Sequence, residues 1–509
     1  MRKASLSVGR EQSGSAHAFF VVLLALALLS FLVRISLLSK SLWYDEIYTI
    51  AHFTEQPWSA VVLEKYSPNN HVLSSLLVKG IEQAGAMGGL WTIPRQTSTG
   101  TRMIPVLEDS FTLPFRLASI LAGTFLCLAM SWPLRAKGRG YFQASLAVMA
   151  VVVIFQPWLL AFSTEVRGYA IALLLAVLGT NLLGQLNTRR WMAYVLCMVG
   201  AIYTIPLCVL LLAGHLAAIL FLNRGLLRRW AGCAGAILFV SALLYAPFIT
   251  QMPREAAGLR TSLLYSEFLM QCMGHAASGW DFPGVWDTVV TVVVLLAGLP
   301  LAWREPRLRL LLVAFGVTVF LSLLLPAILP SLRQARFTFW LIPVKAIAVY
   351  GVVMCAATRV RFLLLCRGLA VLMLGGWTAW QLWTLATVPP QQIIQGIVAI
   401  DQRAGENERV GGVYLAAFDS VMIYQPFIHD REFVPILGTT FYSNLAARGE
   451  LPDWCLVVYP DLLTRDLPAL DEMFRRDYEL VEEFPGRYSD VQIHRLRVRL
   501  PNSAPTTGQ

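Results

Sequence analysis

Hydrophobic positions in this chain come in long blocks separated by short polar connections. Runs such as Phe19–Leu38, Tyr141–Phe162, Trp230–Ile249 and Leu310–Leu329 reach the ~18–20 apolar residues that carry a helix across a bilayer. The pattern predicts eleven spans, at 17–39, 112–134, 142–162, 167–186, 191–204, 206–222, 230–249, 285–303, 309–330, 337–357 and 362–385. The stretch 191–222 reads as a hairpin turning near Tyr203–Pro206, because basic residues flank both its ends. A single helix there makes ten spans and moves the tail to the other side.

Two polar regions interrupt the pattern. In the first loop, 40–111, Val72, Leu73, Leu76, Leu77 and Gly80 recur at helical spacing, broken by Ser74, Ser75 and Lys79. This predicts a helix lying at the membrane interface, with 92–110 irregular. In the tail, Val410–Leu415, Trp454–Tyr459, Tyr478–Phe484 and Val491–Val498 read as strands and Leu467–Arg476 as a helix. The expected organisation is a transmembrane catalytic domain over 1–385, a small extracytoplasmic α/β domain over 386–500, and a disordered Pro/Ser/Thr/Gly-rich end over 501–509.

Composition agrees with a polytopic α-helical membrane protein. Of 509 residues, 56% are hydrophobic and 14% charged, against about 25% charged in soluble domains. The net charge of +10 is unevenly spread: from Pro389 onward there are 11 Arg, no Lys and 17 acidic residues. Upstream, the connections 1–16, 135–139, 188–190, 223–229, 303–309 and 359–367 hold 17 Lys+Arg. The alternate connections 161–168, 250–284 and 331–336 hold 5. Basic connections mark the cytoplasmic side, so the N-terminus is expected inside, and the tail outside, the cytoplasmic (inner) membrane. This distribution excludes a basic nucleic-acid-binding face. Arg34 and Lys40 run against the rule and are expected to snorkel to the interface. The basic N-terminus before Phe19 resembles a signal peptide, but no small-residue cleavage site follows, so the run is read as an uncleaved first span. The eight Cys show no metal spacing. Only Cys272 and Cys455 lie in loop or tail, and nothing in their spacing supports a disulfide.

Four charged clusters fall on the expected outer face. Trp43-Tyr44-Asp45-Glu46 follows the first span; Asp45 is either an N-cap for Ile47–Phe53 or a carboxylate acting as general base or metal ligand. Glu165 and Arg167, in Ser163–Tyr169, are either a structural pair or a functional one, since charge beside the bilayer is costly. Glu64-Lys65 precedes a Pro68-Asn69-Asn70 turn and His71, which is a structural histidine or a ligand for metal or substrate. Lys65 offers a point charge for a phosphate. Arg333 and Arg336, on the face that disfavours arginine, read as a phosphate clamp or as a bridge to the acidic tail or lipid headgroups.

These residues resemble the GT-C superfamily of polyprenyl-phosphate-sugar-dependent glycosyltransferases, in its protein O-mannosyltransferase-like and lipid A aminoarabinose transferase-like branches. The matching motifs are Trp43-Tyr44-Asp45-Glu46, Asn69-Asn70-His71, Pro114-Phe115-Arg116-Leu117-Ala118-Ser119, Glu165-Val166-Arg167-Gly168-Tyr169 and Ala335-Arg336-Phe337. The tail around Tyr478-Glu479-Leu480-Val481 is also similar to family members. The resemblance implies a GT-C-type bundle and a membrane glycosyltransferase, expected to invert. Its donor is a polyprenyl-phosphate-linked sugar and its acceptor a lipid, glycan or protein hydroxyl. Asp45, Glu46 and Glu165 are its implied catalytic acids. Lys65, Arg167, Tyr169, Arg333 and Arg336 are the implied substrate and phosphate ligands. The resemblance leaves room for a divalent metal cation, with His71 and Glu64 as candidate ligands, and calls for no nucleotide cofactor. Pro does not follow Lys65 directly, a departure from the aminoarabinose branch.

A membrane transporter, or a lipid flippase of cell-envelope glycan precursors, is the competing class. No inverted repeat is visible and few polar residues sit mid-span, which weighs against it.

Overall fold

In a computed structural model the chain is described over residues 4–38, 42–54, 56–64, 67, 70–87, 92–97, 100–105, 113–136, 139–184, 190–252, 264–266, 268–269, 272, 285–333, 335–358, 364–414, 433–487 and 489–497. It packs as two compact units. One comprises Met1–Leu38, Gln56–Ala84 and Leu113–Thr387; the other comprises Ser39–Glu55, Gly85–Thr112 and Val388–Gln509.

The first unit is helical. Among the described residues, Leu113–Leu134, Arg224–Phe248 and Arg309–Ile328 are long and apolar enough to cross a membrane. Shorter apolar helices include Phe20–Ser36, Tyr169–Leu183, Trp191–Thr204, Pro206–Leu222, Val289–Trp303 and Leu341–Met354. The surface of the unit is apolar where it is most exposed. On the first helix, Ala4–Ser36, the i, i+4 stripe Phe20, Leu24, Leu28 and Leu32 points outward while Ser30 and Arg34 are buried. On Leu227–Tyr245, Phe239 and Leu243 face out and Trp230, Ser241 and Tyr245 face in. In water each such exposed side chain would forgo about 1.5–3 kcal/mol of burial; lipid tails remove that cost.

Two expected spans are shaped by proline. The run 142–162 is two helices, Arg139–Ile154 and Pro157–Ser163. Pro157 has no N–H for the ladder, and the Gln156 side chain caps the new helix by accepting the Leu159 N–H. The run 191–222 is a hairpin of Trp191–Thr204 and Leu210–Leu222, broken at Ile205-Pro206. The Tyr194 hydroxyl lies 2.9 Å from His215 Nδ1; in one continuous helix the two would be about 30 Å apart. His215 Nε2 meets Thr180 Oγ1 at 2.9 Å and Trp230 Nε1 donates to Tyr194 at 3.2 Å. This polar network joins the first turns of Trp191–Thr204 and Leu227–Tyr245 and the last turn of Tyr169–Leu183 to His215 in Leu210–Leu222.

Helices Val285–Trp303 and Leu341–Thr358 run parallel and very close, with Gly298 against the Ala348 carbonyl and Gly351 against Gly298 and Ala302. A Cβ at Gly298 would occupy the position of that carbonyl. Parallel direction is what two spans separated by one intervening span require.

In the second unit, the stretch expected to be irregular contains an antiparallel hairpin, β1 (Thr92–Thr97) with β2 (Gly100–Pro105). The intervening Ser98-Thr99 lacks the Asn-Gly or Asp-Gly signature by which such turns are recognised, so the pairing was hidden. The tail forms a five-stranded sheet from β3 (Val410–Val413), β4 (Phe433–Ile436), β5 (Trp454–Val458), β6 (Tyr478–Phe484) and β7 (Val491–Leu496), in the order β4-β3-β5-β7-β6. The β4, β3 and β5 strands are parallel, and β5-β7-β6 antiparallel. Every residue of β5 is buried because both faces are covered. Cys455 and Val457 pack with Leu470, Phe474 and Tyr442 from the helices Pro468–Asp477 and Thr439–Arg448. On the opposite face Leu456 and Ile493 meet Gly396 of the helix Ile393–Arg403. Cys272 and Cys455 are both buried free thiols, so no disulfide joins them.

Candidate functional site

The first unit gathers its charged candidates around one buried turn. The helix Pro157–Ser163 ends as Ser163 and Thr164 turn their hydroxyls back onto the Leu159 and Leu160 carbonyls at 2.7 and 2.9 Å. The next helix, Tyr169–Leu183, begins with the Ala172 N–H on the Gly168 carbonyl at 2.8 Å. Between them lie Glu165 and Arg167, 2% and 4% exposed. The turn is clamped from two sides. Ser119 Oγ donates to the Arg167 carbonyl at 2.8 Å, and Arg34 Nε donates to Ser163 Oγ at 2.8 Å.

Arg34 therefore does not snorkel. It is fully buried, and its Nη1 is held by the Ser30 carbonyl and hydroxyl at 2.9 and 2.6 Å. Neighbours able to accept its protons in the interior outweigh the pull of the interface. Lys40 lies outside the described residues.

Tyr169 organises the aromatic side of the turn. Its ring stacks on Phe162 at 4.4 Å and meets His71 at 5.1 Å and Phe339 at 5.3 Å, with the Arg167 guanidinium 5.7 Å from its centre. Phe339 directly follows the short helix Ala335–Thr338 that carries Arg336. His71 is pushed down to about 4 by burial first and by the Arg336 guanidinium second, against a hydrogen bond to the Thr204 backbone that raises it. Gly168 packs on the same imidazole; a Cβ there would come within 2.8 Å of His71 Cβ. Glu165, Arg167, Tyr169, His71 and Arg336 are thus one neighbourhood.

Arg333 has a different setting. Its Nε donates to the Pro326 carbonyl at 3.0 Å and its guanidinium lies 6.0 Å from the Tyr265 ring centre. The fourth residue after Pro326 is Pro330, which has no N–H to offer that carbonyl; Arg333 supplies the missing donor. Lys65 lies outside the described residues. Glu64 closes the helical turn Ala60–Glu64, and its side chain lies outside the description.

Asp45 and Glu46 belong to the second unit, on the helix Tyr44–Thr49. The N-cap is Trp43, not Asp45. Glu46 does the capping: it is fully buried and its Oε2 accepts the Trp43 N–H at 3.1 Å. Its place at the third helical position favours that bond. Asp45 remains partly exposed, and its backbone carbonyl accepts the Thr49 hydroxyl at 2.8 Å. The helix is fastened to tail-domain residues through Tyr44, whose N–H donates to Gln391 Oε1 at 3.1 Å and whose ring meets Tyr459 edge-on at 6.1 Å. A π-helical turn, Ile50–Thr54, follows immediately; such turns recur at functional sites.

Among the described residues, no three His, Cys, Asp or Glu side chains gather as a cation site. His71 is hydrogen-bonded to the Thr204 backbone and packed against Tyr169. Of the two candidate ligands, His71 is held by the protein itself, and the Glu64 side chain lies outside the described residues. Arg116, named in the sequence only as part of a motif, is fully buried one turn before Ser119 on the helix Leu113–Ser131. An arginine inside an apolar span is the signal that marks it.

The chain matches no protein-family model and no curated protein sequence. Its fold, however, matches solved structures along nearly its whole length. ArnT from Cupriavidus metallidurans in the apo state aligns with a TM-score of 0.51 and 15% identity, over 94% of this chain and 98% of that one. The chain shares the fold of that ArnT structure. ArnT bound to undecaprenyl phosphate aligns with a TM-score of 0.48 and 14% identity, over the same 94% and 98%. Archaeal oligosaccharyltransferase AglB from Archaeoglobus fulgidus, in complex with an inhibitory peptide and a dolichol-phosphate, aligns with a TM-score of 0.45 and 10% identity, over 92% and 74%.

Proposed function

We propose that the protein is an inverting membrane glycosyltransferase. It takes a sugar from a polyprenyl-phosphate carrier and gives it to a hydroxyl of a lipid, glycan or protein on the outer face of the inner membrane. The observation that carries this reading is a buried acidic and basic turn, Glu165 to Arg167, closed around Tyr169 and His71 beside Arg336, in a chain of GT-C fold. Charge buried in this way is costly unless it is paired or used.

In the proposed reaction the acceptor hydroxyl oxygen forms a bond to the anomeric carbon. The bond from that carbon to the carrier phosphate breaks, and its electron pair leaves on the phosphate oxygen. Asp45 takes the hydroxyl proton, as a base does when it activates a nucleophile on the face opposite the leaving group. The departing phosphate needs positive charge more than a proton. Arg336 supplies it first, with Arg167, Arg333 and Lys65 in support, while Tyr169 borders the donor. Glu165 is the second proposed catalytic acid, and Glu46 holds the Asp45 helix.

The test is donor consumption by purified protein in nanodiscs, using a labelled polyprenyl-phosphate sugar. Arg336→Ala is expected to impair donor use while the protein remains folded and inserted. Unchanged donor KM and kcat in that variant contradict the phosphate assignment. Absence of any donor consumption by the wild type contradicts the function.

A further inference from the structure

The tail sheet contains a topological switch point. From β3 the chain goes to β4 on one side, then returns to β5 on the other side of β3. In open sheets with parallel strands, the crevice outside the carboxyl ends at such a reversal is where ligands bind. Here both carboxyl ends are marked. β3 is followed by Tyr414 at φ 57° and β5 by Tyr459 at φ 61°. Among the described residues these are the only non-glycine residues with positive φ. The left-handed region is disfavoured for a bulky side chain, and two adjacent strands adopt it at the same end of the sheet. Strain of this kind concentrates where a ligand is held.

The two tyrosines are joined to further polar and aromatic groups. The Tyr414 hydroxyl donates to Asp466 Oδ2 at 3.3 Å, and Arg465 Nε holds the same carboxylate at 2.8 Å. Tyr459 meets the Tyr44 ring at 6.1 Å. All three tyrosines are partly exposed. Tyr44 is the residue next to Asp45, and Gln391 fixes its backbone.

We propose that this crevice binds a pyranose ring of the acceptor and presents its hydroxyl to Asp45. The chemistry matches a saccharide. Its C–H faces pack on aromatic rings, and its hydroxyls find phenols, a carboxylate and a guanidinium. A peptide fits less well, because β3 and β5 are interior strands and leave no free edge for strand addition at this place. The word acceptor rests on the glycosyltransferase reading; saccharide binding at the crevice does not.

The test uses the full chain in nanodiscs without donor. Saturation-transfer NMR is recorded with methyl glycosides of glucose, galactose, mannose and glucosamine, and with a Ser/Thr-containing hexapeptide. Tyr459→Gly removes the ring while keeping a residue suited to the left-handed backbone, and Tyr459→Phe restores the ring. At least one glycoside is expected to receive saturation, about tenfold more weakly in Tyr459→Gly and near the wild-type level in Tyr459→Phe. In the transfer reaction, Tyr459→Gly should raise the acceptor KM about tenfold, the equivalent of ~1.4 kcal/mol, with donor KM unchanged. No glycoside contact, contact undiminished in Tyr459→Gly, or contact with the peptide alone overturns the proposal. If the wild type transfers no sugar, the glycosyltransferase reading fails, and the binding experiment still decides the crevice.

Discussion

Asp45 and Glu46 are adjacent carboxylates with different surroundings. Glu46 is fully buried on the Trp43 N–H, and Asp45 keeps partial access to solvent. Glu46→Ala should therefore cost about 1 kcal/mol of stability, the usual value of a helix cap, measurable by thermal denaturation. Glu46→Gln, which retains an acceptor oxygen, should cost less. His71 makes a pH prediction. Its folded value of about 4 lies below the ordinary 6.5, so the unfolded chain binds the extra proton between those values and stability rises with pH across that window. The stability is complete above about pH 6.5 and is lost as pH falls toward 4, to the extent of about 3 kcal/mol. His71→Gln should lose less stability than the wild type between pH 7 and 4.5; equal slopes contradict the assignment. At this scale the sequence shows charge but not company. Glu165, Arg167 and Arg336 stand out in the sequence because charged residues in short turns between apolar runs are unexpected, and the structure buries the first two. Arg34 was misread because its partners Ser30 and Ser163 are one turn and 129 residues away, respectively.

Elements were legible where period and punctuation agreed. Trp454–Tyr459 and Tyr478–Phe484 read as strands, and the structure has strands at Trp454–Val458 and Tyr478–Phe484; Pro206 marked the hairpin turn that the Tyr194 to His215 bond confirms. Pro157 was overlooked because apolar runs flank Gln156-Pro157 on both sides, so one span and two helices share nearly the same hydropathy. β4 and the helices Ile393–Arg403, Thr439–Arg448 and Pro460–Asp466 were not anticipated. β4 is only four residues long, and Thr439–Arg448 and Pro460–Asp466 carry few apolar positions, so they become core only by packing on the other strands. Gly168 gives the element-scale prediction. Gly168→Ala would push a methyl group against His71 and Thr204, an overpacking that costs typically about 1–3 kcal/mol. The expected outcome is a lower melting temperature with impaired donor use. Wild-type stability and activity in Gly168→Ala would show that the turn has room to yield.

For the whole molecule, long apolar helices with outward hydrophobic stripes and buried polar residues describe a bundle suited to lipid. The eleven-span topology with the N-terminus inside and the tail outside is proposed from the alternation of basic and non-basic connections. A reporter active only in the periplasm, fused after Val498, should be active; activity only from a cytoplasmic reporter contradicts the eleven-span topology. The fold was legible at this scale because the resemblance rests on motifs spread along the chain. The switch point at β3 and β5 was not, because it depends on strand order and on φ at Tyr414 and Tyr459, neither of which hydropathy encodes.

The most direct measurement of the central proposal compares sugar transfer from a labelled polyprenyl-phosphate donor in membranes containing wild type, Asp45→Asn or Glu165→Gln at matched protein levels. Asp45→Asn keeps the size and hydrogen bonding of the side chain and removes its charge. The proposed mechanism predicts that turnover falls roughly 10²-fold or more in Asp45→Asn, the usual range for a lost general base, with donor binding retained. Wild-type turnover in Asp45→Asn together with abolition in Glu165→Gln would make Glu165 the base; full activity in both variants would contradict the mechanism.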